Sequence, residues 1–600
     1  MFLLGCEKVF VEYPSKQVLS GISLGVDAGA RIGIVGRNGD GKSTLLALLA
    51  GEIEPDEGRV IRTRTVTVGL LSQTDALDDD ASVREAVLGD APEHEWAGVA
   101  RVRDILDGLL ADVDFDARVG TLSGGQRRRA DLARVLVGEW DVLMLDEPTN
   151  HLDMAAISWL AEHLKTRWKA GAGALLVVTH DRWFLDEVAT SMWEVHHGRI
   201  EPFEGGFSAY ILQRVERERL ATLAEQKRQN LLRRELAWLS RGARARATKP
   251  KFHVALAREL IADVPPLRDT TELKRLAVAR LGKDVIDCEN VTASFDGVPV
   301  FSQVTWHIGA GDRIGIAGEN GAGKTTLLKV LQGQLAPTRG RVKIGKTVRF
   351  GFLSQQLELL DAFAGDRVRT VIGRFGSRIT SDGREMTPAQ MLERLGFSNA
   401  DLNEPVNDLS GGQRRRFALV LVLLEEPNVL ILDEPGNDLD IDMLAAVEDM
   451  LDGWPGTLIV VTHERYLMER VTDDVYGLID GKLRHLPGGI DEYLALQREA
   501  DVRAAPASSS KKSADERPDL PAAAALSQAE VRRLRKSMES LERRLASAKT
   551  RLAEARDALL AADPTDFVAL GERQADIDAL RAQIDALETE WLEAAEALGE

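Results

Sequence analysis

Two cysteines cannot staple a chain of 600 residues, and Cys6 and Cys288 do not stand at metal-ligand spacing. That scarcity points to a reducing, cytoplasmic setting without a disulfide frame. Long apolar runs are missing as well: none approaches the roughly 18 residues of a membrane-spanning helix, so no membrane role is expected. The LLGC at Leu3 to Cys6 lacks the basic n-region and long h-region of a lipoprotein leader, so no lipid anchor is expected either. Basic charge is in deficit, with 76 Lys and Arg against 95 Asp and Glu and a net charge of −19. A surface of that sign does not bind nucleic acid as a whole, but it leaves room for a local basic element. The hydrophobic share of 44% is ordinary for a globular protein. At roughly 100 to 200 residues per domain, this length allows several domains with their own cores.

What is present is a repeat of whole domains. Gly318 minus Gly36 is 282, as are Gln355 minus Gln73, Phe295 minus Tyr13 and Cys288 minus Cys6. The offset rises to 287 at Leu409 minus Leu122 and returns to 283 at His463 minus His180, which locates small insertions between aligned blocks. Cys6 and Cys288 fall at the same place in an early strand, where a small buried hydrophobe is expected.

In each copy a strand-like run, RIGIVG at Arg31 or RIGIAG at Arg313, leads into a glycine-rich loop and then an apolar helical pattern. GRNGDGKST and GENGAGKTT both fit G-x-x-x-x-G-K-[ST]. Glycines there let backbone N–H groups wrap phosphates, and the helix start adds positive potential. Gly36, Asn38, Gly39, Gly41, Lys42, Ser43 and Thr44, with Gly318, Asn320, Gly321, Gly323, Lys324, Thr325 and Thr326, are the expected ATP-binding residues. The lysines reach the β and γ phosphates, and Ser43 and Thr325 offer the hydroxyl for Mg²⁺. Further on, VLMLDEP and VLILDEP end apolar strands in paired carboxylates. Such strand ends are where α/β sheets bind ligands. Asp146 and Asp433 suit Mg²⁺, while Glu147 and Glu434 are placed to polarise an attacking water. The serine and glycine N–H groups of LSGGQRRR, at Leu122 and Leu409, start a helix with three arginines and are expected to form an anion site.

With LSGGQ twice, the sequence resembles an ATP-binding cassette protein over residues 1–205 and 284–495. The resemblance implies Gln73 and Gln355 as Q-loop residues that also reach Mg²⁺, and His180 and His463 as catalytic γ-phosphate switches. It implies composite sites, in which the first P-loop meets Ser410, Gly411, Gly412 and Gln413, and the second meets Ser123, Gly124, Gly125 and Gln126. Tyr13 and Phe295 match the family's adenine-stacking position, with a core role as the other reading. The fold expected is α/β: two P-loop ATP-binding cassette domains in tandem.

Residues 206–283 read as a helical interdomain linker whose stretch from Lys227 to Lys251 is strongly basic. Its Arg233, Arg234, Arg241, Arg244, Arg246, Lys249 and Lys251 suit a nucleic-acid backbone, the other reading being a solvated spacer. Residues 496–526, rich in Ala, Ser and Pro, read as a flexible tether. Residues 527–600 carry two heptad patterns joined near Asp563-Pro564, expected as an antiparallel coiled-coil hairpin. Tandem cassettes, a basic linker and TNHLD at Thr149 resemble the ABC-F family of ribosome-associated ATPases, and the tail is similar to its Uup-like branch. The 49 residues from Gln73 to Leu122 (122 minus 73) leave little room for the long arm that some members carry.

The resemblance implies an ATP hydrolase that closes around two ATP, binds the ribosomal exit site and contacts ribosomal RNA and tRNA. No transmembrane transporter partner is implied, and the chain is expected to act as a monomer with an intramolecular cassette pair. DNA binding through the C-terminal hairpin and antibiotic resistance by ribosome protection are the alternatives. LDEPGNDLD, which stands where the first copy has LDEPTNHLD, keeps its chemistry-bearing residues, so both sites are expected to work, with unequal coupling.

Overall fold

The computed structural model describes residues 1–217 and 284–504, apart from 14–15, 90–92, 296, 377 and 380–384, and residue 551. The linker residues Arg233, Arg234, Arg241, Arg244, Arg246, Lys249 and Lys251, the tether from 505 and the hairpin at 527–600 lie outside them.

Each cassette is built on one six-stranded sheet. In the first, the order is Val68–Leu71, Val142–Asp146, Ala174–Val178, Arg31–Gly36, Ser191–His196, Arg199–Glu204. All neighbours are parallel except the last pair. The second repeats this order with Phe350–Leu353, Val429–Asp433, Thr457–Val461, Arg313–Gly318, Asp474–Ile479 and Lys482–His485. The central strands VLMLD, ALLVV, VLILD and TLIVV are buried along their full length. Continuous apolar runs are what a parallel sheet covered on both faces requires.

A three-stranded antiparallel sheet flanks each cassette, with Phe2–Tyr13 central in the first and Asp284–Phe295 in the second. Cys6 and Cys288 are buried in these strands as free thiols, as the repeat register suggested. The same sheets abut the P-loops. A Cβ at Gly41 (φ +97°) would meet Val18 Cγ1 at 2.2 Å, and one at Gly323 (φ +96°) would meet Val300 Cγ1 at 2.2 Å. Only glycine fits there, on both steric and backbone grounds.

On the other side of each sheet lies a helical layer. In the first cassette Val83–Leu88, Ala100–Leu110 and the signature helix Gly124–Val137 share a core with the sheet. In the second, Val368–Ile372, Pro388–Arg394 and Gly411–Leu424 do so. The register shift near 355–409 coincides with a short antiparallel pair, Arg378–Ile379 with Glu385–Met386.

Both cassette boundaries move outward from those expected. Residues 207–217 are helical, and Phe207 and Tyr210 are buried in the first cassette's core rather than in a linker. At the far end the helix Gly489–Ala504 crosses position 495 and seats Ile490 and Tyr493 in an apolar cluster. The two cassettes form one compact unit, Met1–Ala505. The ends shift because apolar side chains continue on one face of each final helix, and composition alone does not reveal that.

Candidate nucleotide sites at the cassette interface

A cavity of about 1070 Å³ runs between the cassettes. Its wall holds Lys42, Ser43 and Thr44 of the first P-loop together with Ser410, Gly411 and Gly412, and Lys324, Thr325 and Thr326 of the second together with Ser123, Gly125 and Gln126. Asn38, Gly39, Gly41, Gln73, Asn320, Gly321, Gly323 and Gln355 join them. So do Asp146, Glu147, His180, Asp433, Glu434 and His463. Gly36, Gly124, Gly318 and Gln413 stand off the wall. Tyr13 borders the cavity at 46% exposure, whereas Phe295, 51% exposed, does not, and neither ring packs in a core.

The cassettes touch directly at these sites. Asn38 donates through Nδ2 to the Asp438 carbonyl at 3.1 Å and through its backbone N–H to Asp440 Oδ2 at 3.4 Å. In reverse, Asn320 Nδ2 donates to the His151 carbonyl at 3.0 Å. Each P-loop asparagine therefore meets the loop that follows the other cassette's carboxylate pair.

Within each cassette the chemistry-bearing groups converge. Glu147 (φ +51°) and Glu434 (φ +53°) occupy the left-handed region just past their strands, which turns their side chains off the sheet axis. Such a backbone costs roughly 1–3 kcal/mol and persists only where its surroundings hold it. Here the Glu147 and Glu434 N–H groups each donate across the sheet, to Val178 and Val461 carbonyls at 2.8 Å. His180 Nε2 lies 3.3 Å from Glu147 Oε1 and 3.2 Å from Asn38 Oδ1. His463 Nε2 lies 3.4 Å from Glu434 Oε1 and 3.2 Å from Asn320 Oδ1.

Burial governs the protonation states. It pushes the Glu147 carboxyl up to about 8 and Glu434 up to about 7, against the pull of Lys42 and Lys324. It pushes His180 down to about 3 and His463 well below its ordinary range, with the neighbouring lysines adding to the effect. The histidines are therefore neutral, and the glutamates sit where a proton is taken up at neutral pH. Lys42 and Lys324 are lowered by burial and meanwhile donate to P-loop carbonyls, Lys42 to Gly36 at 2.7 Å and Lys324 to Gly318 at 2.6 Å.

Beside each P-loop a hydroxyl meets a strand-end carboxylate. Thr325 Oγ donates to Asp433 Oδ2 at 2.9 Å, and Ser43 bonds Asp146. Among the described residues no cluster of three or more His, Cys, Asp or Glu is arranged for a metal ion. Each seat thus offers one carboxylate and one hydroxyl, and both are hard oxygen donors. That set fits Mg²⁺, which keeps water and takes phosphate oxygens for its remaining positions.

The start of each signature helix is held by its own side chains. Ser123 and Ser410 cap their helices by accepting from the N–H of Gln126 and Gln413, whose side chains reach back to the capping serines' own N–H groups. This is a capping box, written in the sequence as S-x-x-Q. The arginines that follow bond largely within their own cassettes, although Arg129 also lines the cavity. Arg127 pairs with Asp75 and Asp79, and Arg129 with Asp112. Arg128 donates to the Ser72 and Asp146 carbonyls, and Arg415 to those of Gln355 and Glu434. Arg128 and Arg415 are held inside their own cassettes because the carbonyls at strand ends and Q-loop need donors where water is excluded.

A family model described as ABC transporter matches residues 19–150 and 301–437, and a second with the same description matches 193–256. An ABC transporter ATP-binding protein of Bacillus subtilis strain 168, YfmR, is 35% identical, with 85% of this chain and 86% of that protein covered. The chain belongs to the ABC-F family. The Energy-dependent translational throttle proteins EttA of Mycobacterium tuberculosis H37Rv and Escherichia coli K12 are 33% and 32% identical, covering 78% and 80% of this ABC-F chain and 90% and 93% of theirs. Among solved structures, an archaeal ribosome recycling factor, aABCE1, in complex with the stalk protein aP1, superposes with a TM-score of 0.57 at 20% identity, covering 82% of this chain and 92% of that one. The activity of such tandem cassettes is ATP hydrolysis. Among the described residues no helix of this ABC-F protein is long and apolar enough to cross a membrane.

Sequence reasoning missed the partners that hold the site. The Thr149 and Thr179 hydroxyls lie 2.7 Å apart in the first cassette, and Arg182 of the first cassette enters a buried ion network with Glu448 and Glu464 of the second. A hydroxyl pair 30 residues apart in sequence has no local signature.

Proposed function

We propose that this chain is a cytoplasmic, ribosome-associated ATPase that closes its cassettes around two ATP and acts from the ribosomal exit site on translation, ribosome assembly or rescue. The observation that carries the reading is the shared cavity, to which each cassette brings a P-loop and the start of a signature helix. ATP bound at one P-loop then also contacts the opposite cassette, so binding favours closure and hydrolysis releases it. The names of the throttle-protein relatives, whose full length this chain largely spans, support translation as the setting.

In each site the P-loop N–H groups and Lys42 or Lys324 bind the β and γ phosphates. Glu147 or Glu434 takes the proton of the attacking water, and His180 or His463 donates toward the γ phosphate through a neutral ring. Mg²⁺ would be held by Ser43, Asp146 and Gln73 in one site and by Thr325, Asp433 and Gln355 in the other. When bound it neutralises charge building on the transferred phosphoryl group. Tyr13 stacks on adenine at the cavity edge.

The test is recovery of the Glu147→Gln/Glu434→Gln protein from cells. The trapped variant is expected to carry ribosomal RNA in stoichiometric amount, and its absence would sink the ribosome reading. Removing residues 528–600 in the same background separates the readings. RNA retained with loss of DNA binding assigns DNA to the tail alone, and RNA lost with it places the ribosome contact there.

A further inference from the structure

The stretches 146–157 and 433–444 align position by position at an offset of 287 (433 minus 146). Thr149 stands two residues past Glu147, and Thr179 immediately precedes His180. Their hydroxyl oxygens are 2.7 Å apart in a buried contact, and Thr179 Oγ also accepts from the Asp181 N–H at 3.2 Å. This pair ties the loop that carries the carboxylate to the strand end that carries the histidine.

The second cassette lacks the tie. Thr462 still accepts from the Glu464 N–H at 3.1 Å, but position 436 is glycine and offers it no hydroxyl. A Cβ at Gly436 would stand 3.1 Å from Leu444 Cδ1 and 3.8 Å from Leu467 Cδ2. Leu444, which replaces Ile157 of the first copy, therefore lies close against the place where a side chain at 436 would begin. Where the first site has a directional bond, the second has a glycine beside an apolar side chain. The left-handed glutamate, the histidine at 3.3 or 3.4 Å and the crossing asparagine occur in both sites, while Lys324 Nζ lies 3.1 Å from His463 Nε2 in the second and Lys42 instead reaches Asn38 Oδ1 at 3.5 Å in the first.

We propose that Thr149 is a positioning residue for hydrolysis at the first site and that its replacement by Gly436 makes the second site the slower of the two. The proposal rests on Glu147 and Glu434 acting on the attacking water. Thr149 stands in the cavity wall, but its hydroxyl is spent on Thr179, and through that contact it holds Glu147 in register with His180. Small displacements of such a base are costly to rate. The loop that Thr149 anchors also runs on to His151, whose carbonyl meets Asn320 beside His463, so the anchored side faces the second site as well.

In the full-length protein, residual ATPase of Glu434→Gln reports the first site and that of Glu147→Gln the second. The first is expected to exceed the second about ten-fold, and Thr149→Val in the Glu434→Gln background to lower kcat about ten-fold with KM for ATP little changed. Thr149→Ser restores the rate because it restores the hydroxyl, an effect a loss of fold would not produce. Gly436→Thr with Leu444→Ile raises kcat in the Glu147→Gln background. Equal rates in the two single-site variants, or like behaviour of Thr149→Val and Thr149→Ser, overturn the proposal. Wild-type hydrolysis by Glu147→Gln/Glu434→Gln overturns the carboxylate reading itself and the proposal with it.

Discussion

His163 lies in the helix Met154–Thr166, 7% exposed, with Nδ1 3.3 Å from Asp104 Oδ2 and its ring stacked on Trp159. Burial lowers its pKa below the ordinary value, more than Asp104 raises it, and Nε2 has no hydrogen-bond partner among the described residues. The sign follows. Below the unfolded value near 6.5 the unfolded chain binds a proton that the folded one resists, so stability falls as pH drops from about 6.5 toward the lowered folded value. At the matching place (163 plus 287) the second cassette has Met450, an apolar side chain that titrates nothing. His163→Met is expected to flatten the loss of melting temperature between about pH 7 and pH 5, as followed by circular dichroism. An unchanged slope would show that other groups set the acid sensitivity. At this scale the sequence was informative wherever a residue acts on what lies next to it in the chain. Lys42, Glu147 and their counterparts sit in short motifs whose spacing is their chemistry. Thr149 was marked by its change to Gly436, but its bond to Thr179 was illegible because two threonines 30 positions apart acquire a role only on meeting.

At the scale of elements, the signature helices Gly124–Val137 and Gly411–Leu424 show both outcomes. Their starts were legible, since S-x-x-Q before an apolar pattern is a local code for capping. The role of their arginines was not legible: Arg415 is 5% exposed and donates to the Glu434 and Gln355 carbonyls. Arg415→Met keeps most of the packing and leaves those carbonyls short of a donor. A cost of about 2–3 kcal/mol in urea unfolding is expected, together with weaker ATP binding because the Q-loop and the carboxylate strand lose their common anchor. A loss under about 0.5 kcal/mol would mean that water replaces the guanidinium there.

At the scale of the molecule, Arg182 of the first cassette donates to Glu448 Oε2 at 3.1 Å and to Glu464 Oε2 at 3.0 Å, and Tyr466 donates to Asp186 at 3.0 Å. Arg214, on the helix that leads to the linker, pairs with Asp442 at 2.8 Å on the second cassette's helix Ile441–Asp452. These contacts exist only while the cassettes are together. Arg182→Ala leaves buried carboxylates without that counter-charge, a loss of about 3–5 kcal/mol for a buried pair. Its melting temperature should fall further below wild type with ATP present than without, because ATP selects the closed pair. An equal fall in both conditions would assign the network to cassette stability alone. Swapping charges with Arg214→Asp/Asp442→Arg is expected to recover ATPase lost in either single variant, and failure to do so would remove that ion pair from the coupling.

The sequence by itself determined the duplicated cassettes, the strand-loop-helix order, the phosphate loops, the carboxylate pairs and the buried cysteines. Each of these rests on periodicity or on backbone chemistry between near neighbours. Tertiary structure alone decided which groups meet across the interface: Asn38 with Asp440, 402 positions away, and Arg182 with Glu448, 266 positions away. It also decided that Leu444 lies beside Gly436. The reason is physical. A side chain's identity states what it can bond, but packing sets the distance and the exclusion of water that make a bond count, and both come from the fold as a whole.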